Sequence, residues 1–154
     1  IERYCGFLTH ADFVPHNLRI ARDRIYLIDH ASLHFGNKYE SWGRFTNFMT
    51  LYNPTLEEAL VSYVRNNRTE EESEAFFLMR LYKLGYLLHF YTKIFPHTEG
   101  AQRDLTHTRL LFWGDVLDTL LSNSPLRKEV RERYIEERDA LRSSEEKKRQ
   151  IGLH

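Results

Sequence analysis

The chain has 154 residues, enough for one domain with a substantial core, and 42% of them are apolar. Lys plus Arg and Asp plus Glu both number 22, so no global field draws it to nucleic acid or to an anionic membrane. The one cysteine, Cys5, permits no internal disulfide, no apolar run approaches a membrane span, and no signal peptide is visible. A cytoplasmic protein is the expectation.

Near the start, Thr9-His10-Ala11-Asp12-Phe13-Val14-Pro15-His16-Asn17 places a lone acid in a loop that Pro15 stiffens. Next come two segments rich in strand formers, Asn17-Leu18-Arg19-Ile20-Ala21 and Ile25-Tyr26-Leu27-Ile28-Asp29. The polar Arg22-Asp23-Arg24 between them predicts a hairpin. With the turn centred on Asp23, Asn17 stands opposite Asp29, and directly opposed residues have Cβ atoms about 4.5–5.5 Å apart. An amide oxygen and a carboxylate at that distance can share one hard cation, and magnesium favours such a pair, completed by waters and phosphates. Asp12 lies outside the hairpin, where it can face an incoming hydroxyl. His10 reads as a packing and hydrogen-bonding brace for the loop. Each of the three is also a common turn or strand-end residue for local reasons; their combination carries the signal.

From Tyr39 onward the pattern is helical. Phe45, Phe48, Met49 and Tyr52 recur at helical spacing until Asn53-Pro54 stops the run. Thr55-Leu56-Glu57-Glu58 reads as a capping box, with Leu60, Val61 and Val64 on one face, and Thr69-Glu70-Glu71-Glu72 opens a longer helix in the same way. The apolar stripe of that helix, from Phe76, Phe77 and Met79 to Tyr91, reads as core rather than a ligand-stacking box. Phe95-Pro96 ends it. A further helix covers roughly residues 102–121, and Ser124-Pro125 supplies a cap and a first-turn proline for a last one. Its end, Glu145-Glu146-Lys147-Lys148-Arg149, is a mixed charged face. The expected fold is α+β and mainly α. A small hairpin carries the functional segment on a bundle of about five helices. Residues 1–38 then form the loop and hairpin, and 39–154 the helical part, of a single lobe.

His10, Asp12, Asn17 and Asp29 match in order and spacing the H-x-D-x-x-x-x-N…D pattern of kinases. The segment resembles the aminoglycoside phosphotransferase and choline kinase group of small-molecule kinases, whose catalytic loop commonly reads like H-G-D-x-x-P-x-N. The resemblance covers about residues 7–45. It implies a protein-kinase-like C-terminal lobe that uses ATP, with Asp12 as catalytic base and Asn17 and Asp29 as Mg2+ ligands; in such a site His16 would lie near the phosphates, in a mainly structural role. The partner would be a small hydroxylated substrate. The sequence departs from the pattern in two places. His30-Ala31 follows Asp29 where protein kinases carry Phe-Gly, and Gly36-Asn37-Lys38-Tyr39-Glu40-Ser41 keeps the glycine of a G-D-P-x-x-D pattern but neither acid.

None of the seven glycines forms a G-x-G-x-x-G or G-x-x-x-x-G-K-[ST] sequence, and no strand carries a phosphate-pairing lysine. The expectation is a catalytic lobe that needs a nucleotide-binding lobe in cis or in trans, with little turnover by itself. Two rivals remain at this point. His10, His16, His30 and His34 with the two acids suggest a zinc hydrolase, although no H-E-x-x-H occurs. A degenerate lobe serving as a binding or regulatory module is the non-enzymatic alternative.

Overall fold

In the computed structural model, which describes residues 2–142, all the strands precede residue 37 and five α-helices follow them. β1 (Phe7–His10), β2 (Leu18–Ala21), β3 (Arg24–Leu27) and β4 (Leu33–Gly36) form two antiparallel pairs, β1 with β4 and β2 with β3. The helices are α1 (Glu40–Tyr52), α2 (Pro54–Asn67), α3 (Glu70–Ile94), α4 (Gly100–Leu121) and α5 (Lys128–Leu141). The fold is therefore α+β and mainly α. None of the described helices is long and apolar enough to cross a membrane. The chain divides into two compact units within α3, one running to Lys83 and the other starting at Leu84.

In the first unit the expected hairpin exists, but its register differs by one residue. Leu18 pairs with Leu27 and Ala21 with Arg24, leaving a two-residue turn at Arg22 and Asp23 with φ of 48° and 62°. Two left-handed residues make the turn whose twist matches the strands, even though neither is glycine. Asn17 consequently faces Ile28, whose N–H it accepts at 2.9 Å, and Asp29 lies one position further on. The expected pairing of Asn17 with Asp29 is thus corrected. A second pairing, absent from the sequence reading, joins β1 to β4 from Phe7 opposite Gly36 to His10 opposite Leu33. It brings the chain back after Asp29. The strands turn apolar side chains outward, with Leu8, Ile20, Ile25 and Phe35 between 67% and 80% exposed.

Side chains order the helix starts of this unit, and at α2 and α3 they satisfy a free helical N–H group. Asn37 Oδ1 accepts the Tyr39 N–H at the start of α1. Asn53 Oδ1 accepts the Leu56 N–H at 3.1 Å with Pro54 in the first turn, so Asn53 caps α2 in place of the expected Thr55 box. The Thr69 box is present, with Glu72 N–H on Thr69 Oγ1 and Thr69 N–H on Glu72 Oε2. Tyr4, Tyr39, Val64, Ala75, Phe76 and Met79 form the core, whereas Phe77 faces solvent. Gly43 lies close against α3: a Cβ there would lie 3.0 Å from the Met79 carbonyl carbon and 3.1 Å from the Arg80 nitrogen. Beside it, Arg80 Nε donates to Asn47 Oδ1 and Asn47 Nδ2 donates to Arg80 O, both at 2.9 Å.

In the second unit, Phe112 of α4 stacks on Tyr134 of α5 with centroids 4.1 Å apart, next to the fully buried Trp113. α5 begins at Lys128, after an extended Arg127, rather than at the expected Ser124-Pro125. Ser124 is already in use. Asn123 is left-handed (φ 51°) and the Ser124 N–H donates back to Thr119 O at 2.9 Å, closing α4 with a Schellman turn. The charged stretch from Glu145 to Arg149 lies outside the described residues.

Candidate functional site

Asp12 follows β1, and the backbone of the two residues before it is held by hydrogen bonds. His10 N–H donates to Ser41 Oγ at 2.9 Å, Ser41 Oγ lies 3.2 Å from His10 O, and the Ala11 N–H donates to Ser32 O at 2.9 Å. Ser41 stands where the resemblance leads one to expect an acid. Its hydroxyl performs a bracing task there that needs no charge. Val14 is fully buried and extended, as a residue before proline prefers, and Pro15 opens a 3-10 turn over Pro15–Asn17. That turn brings Asn17 back beneath Asp12.

His10 is almost wholly buried, and its Nε2 lies 3.1 Å from Ile28 O and 3.0 Å from Asp29 O. Both are acceptors, so Nε2 carries the proton and shares it between them. The ring is a tie between the loop before Asp12 and the backbone at Asp29.

Asn17 is buried, and its Nδ2 donates to Asp12 O at 2.8 Å and to Asp12 Oδ2 at 3.2 Å. Two acceptors on one side fix the amide orientation and turn Oδ1 the other way. Asp12 Oδ1 receives Arg44 Nε at 3.1 Å and Nη2 at 2.6 Å, while His16 Nε2 lies 3.7 Å from Oδ2. Asp29 has a left-handed backbone (φ 62°, ψ 55°), and its Oδ2 accepts the Ser32 hydroxyl at 2.6 Å. Burial lowers the His16 pKa below its ordinary 6.5. The carboxylates of Asp12 and Asp29 pull the other way, and Arg44 and Arg19 reinforce the lowering. His16 is therefore a neutral imidazole at pH 7 that feels the field of both acids.

A second polar group supports the loop from below. Glu40 at the start of α1 is ion-paired with Lys83 of α3, and both are under one-tenth exposed. Glu40 also meets His34 Nε2 at 3.0 Å, and Lys83 Nζ reaches Ala11 O at 3.4 Å. Burial pushes the Glu40 carboxyl up, but Lys83 and His34 outweigh it and hold the group below its usual range. Of the acids at the start of α3, Glu72 is committed within the fold, accepting from Lys38 Nζ and from the Tyr39 hydroxyl at 2.6 Å each.

Asn17 and Asp29 carry hard oxygen donors, an amide oxygen and a carboxylate. That donor chemistry fits magnesium, which takes few protein ligands and keeps water and phosphate oxygens for the rest. Among the described residues no group of three or more His, Cys, Asp and Glu side chains is placed to hold a metal ion. His30 turns to Leu27 O and His34 to Glu40, so the histidine cluster suggested by the sequence is dispersed. Arg44, Ser41 and the Glu40–Lys83 pair are the participants that sequence reasoning missed. Arg44 and Asp12 are 32 positions apart, and only the tertiary fold brings them together. No family model matches the chain, and neither a curated protein nor a solved structure matches it.

Proposed function

We propose that this chain is the catalytic lobe of a kinase-like phosphotransferase that moves the terminal phosphoryl group of ATP to a hydroxyl of a small molecule, with Mg2+. One observation carries the reading. The Asn17 amide is pinned to Asp12 while His10 ties the same loop to the backbone carbonyl of Asp29, so the loop that bears Asp12 and Asn17 is fastened to the chain at Asp29.

In this reading Asp12 is the base. Its Oδ1 is taken by Arg44, so Oδ2 accepts the proton of the attacking hydroxyl. Asn17 Oδ1 and the Asp29 carboxylate hold the metal, which when bound neutralises charge on the phosphates. His16, neutral and beside Asp12, lines the place where the phosphates lie and adds no competing charge. His10 and Pro15 keep the loop in shape. In phosphoryl transfer the protein mainly supplies position and electrostatics, and this set does both.

No glycine-rich phosphate loop is present in the sequence, so the lobe works with a nucleotide-binding lobe in cis or in trans. The outward apolar residues Leu8, Ile20, Ile25 and Phe35 support this, because a strand surface of that kind calls for cover. The test uses the complete natural protein with γ-labelled ATP, magnesium and a panel of polyols, amino alcohols and aminoglycosides. Asp12→Ala should lower transfer by about 10²–10⁴-fold, with the fold retained by circular dichroism. Unchanged turnover in that variant refutes the base assignment.

A further inference from the structure

We infer that Arg44 is a catalytic residue of this site, the group that takes up charge on the phosphoryl in transit. The inference rests on the phosphotransfer reading above and adds to it the cation that acts on the moving group.

Arg44 projects from α1 with its guanidinium carbon 4.8 Å from the centroid of the Phe48 ring, which supports one flat face. Its Nε and Nη2 both donate to Asp12 Oδ1, and the side chain is 14% exposed. A guanidinium carries five N–H groups in a rigid plane. Two are used on Asp12. Those of Nη1 and the second of Nη2 have no acceptor among the described residues. The other cations around the loop are committed. Arg19 donates to the carbonyls of His16 and Leu18, and Lys83 is paired with Glu40. Arg44 alone, among these, joins the base and keeps donors to spare.

The hydroxyl oxygen forms a bond to the terminal phosphorus and its proton passes to Asp12 Oδ2. The bridging P–O bond breaks, and its electron pair leaves with the nucleoside diphosphate. A hydroxyl bonded to Oδ2 has the phosphorus it attacks about 3–3.5 Å away, next to the guanidinium that holds the other oxygen of the same carboxyl. As Asp12 gains its proton, Arg44 loses its counter-charge at the moment when the phosphoryl oxygens need one. A cation fixed beforehand in a partly dehydrated site costs no reorganisation at that moment.

A residue that meets only the terminal phosphoryl acts on triphosphate and not on diphosphate, and this separates catalysis from support. The experiment is calorimetric titration of the complete natural protein with Mg·ADP and with a non-hydrolysable Mg·ATP analogue. Arg44→Gln should lose about tenfold or more of the preference for the triphosphate while its affinity for Mg·ADP stays as in the unaltered protein. Arg44→Lys, which keeps the charge but not the fork, should lose part of the preference and retain the melting temperature; it serves as the test if Arg44→Gln does not fold. An unaltered preference, or an equal loss for both nucleotides, overturns the role of Arg44 and leaves the phosphotransfer reading standing. If the unaltered protein binds neither nucleotide with magnesium, the phosphotransfer reading itself falls.

Discussion

Asn17 and Asp12 are joined twice by one amide nitrogen, which donates to the backbone carbonyl at 2.8 Å and to the carboxylate at 3.2 Å. A single side chain thus shapes the loop and presents its oxygen away from the base. Asn17→Asp replaces the donor with an acid facing two acceptors. It should destabilise the first unit by about 1–3 kcal/mol in urea denaturation, and it should not be rescued by high salt, because the repulsion is at short range in a buried place. A variant as stable as the unaltered protein would mean that the amide does not organise the loop.

Lys83 and Glu40 form a buried ion pair beneath Ala11. Lys83→Met strands the Glu40 carboxylate with only His34 beside it and should cost about 3–5 kcal/mol. The double variant Glu40→Gln with Lys83→Met removes both charges and should recover most of that loss. Denaturation of the three variants checks it. A double variant no more stable than the single one would show that the cost lies in packing rather than in the orphaned charge.

Gly43 lies against the backbone of α3, and a methyl there meets the Met79 carbonyl carbon at 3.0 Å. Gly43→Ala should therefore destabilise by about 1–3 kcal/mol through overpacking. Gly85, in the same helix, faces open space, and Gly85→Ala should stabilise by about 0.5–1 kcal/mol through helix propensity. Thermal melts of the two variants should move in opposite directions.

Glu72 is held down to about 2 from its ordinary 4.5, first by the hydrogen bond from Lys38 and then by that from Tyr39. A depressed carboxylate contributes stability that is complete above the unfolded value and is lost as pH falls toward the folded one. Stability of the unaltered protein should decline from about pH 4.5 down to about pH 2, and Glu72→Gln should remove part of that slope. Urea midpoints at a series of pH values measure it, and identical slopes would contradict the assignment.

The helices were legible where their end signals are local. Thr69 and Glu72 form the box that their spacing announces, and Pro54 stands at the start of α2. Legibility failed where one residue has two possible employers. Ser124 looks like a cap for the last helix but closes the preceding one. The hairpin register slipped by one because the turn type depends on left-handed backbone at Arg22 and Asp23, a choice that neither side chain advertises. At the site, the tie between Asp12 and Asn17 spans only five positions, yet it went unread, because the expected hairpin set Asn17 against Asp29 and left Asp12 outside. The closing strand pair and the contacts of Ser41, Arg44 and Lys83 depend on distant segments meeting, which no local pattern encodes.

In the proposed site, Asn17 and Asp29 hold a magnesium ion against the phosphates of a nucleotide. The most direct test is the affinity of the complete natural protein for ATP, measured by calorimetry across a range of magnesium concentrations, with and without Asp29→Asn. Affinity should rise with magnesium in the unaltered protein, and the response should flatten by at least about tenfold in the variant. An affinity that ignores magnesium, or a variant that follows the unaltered curve, would contradict it.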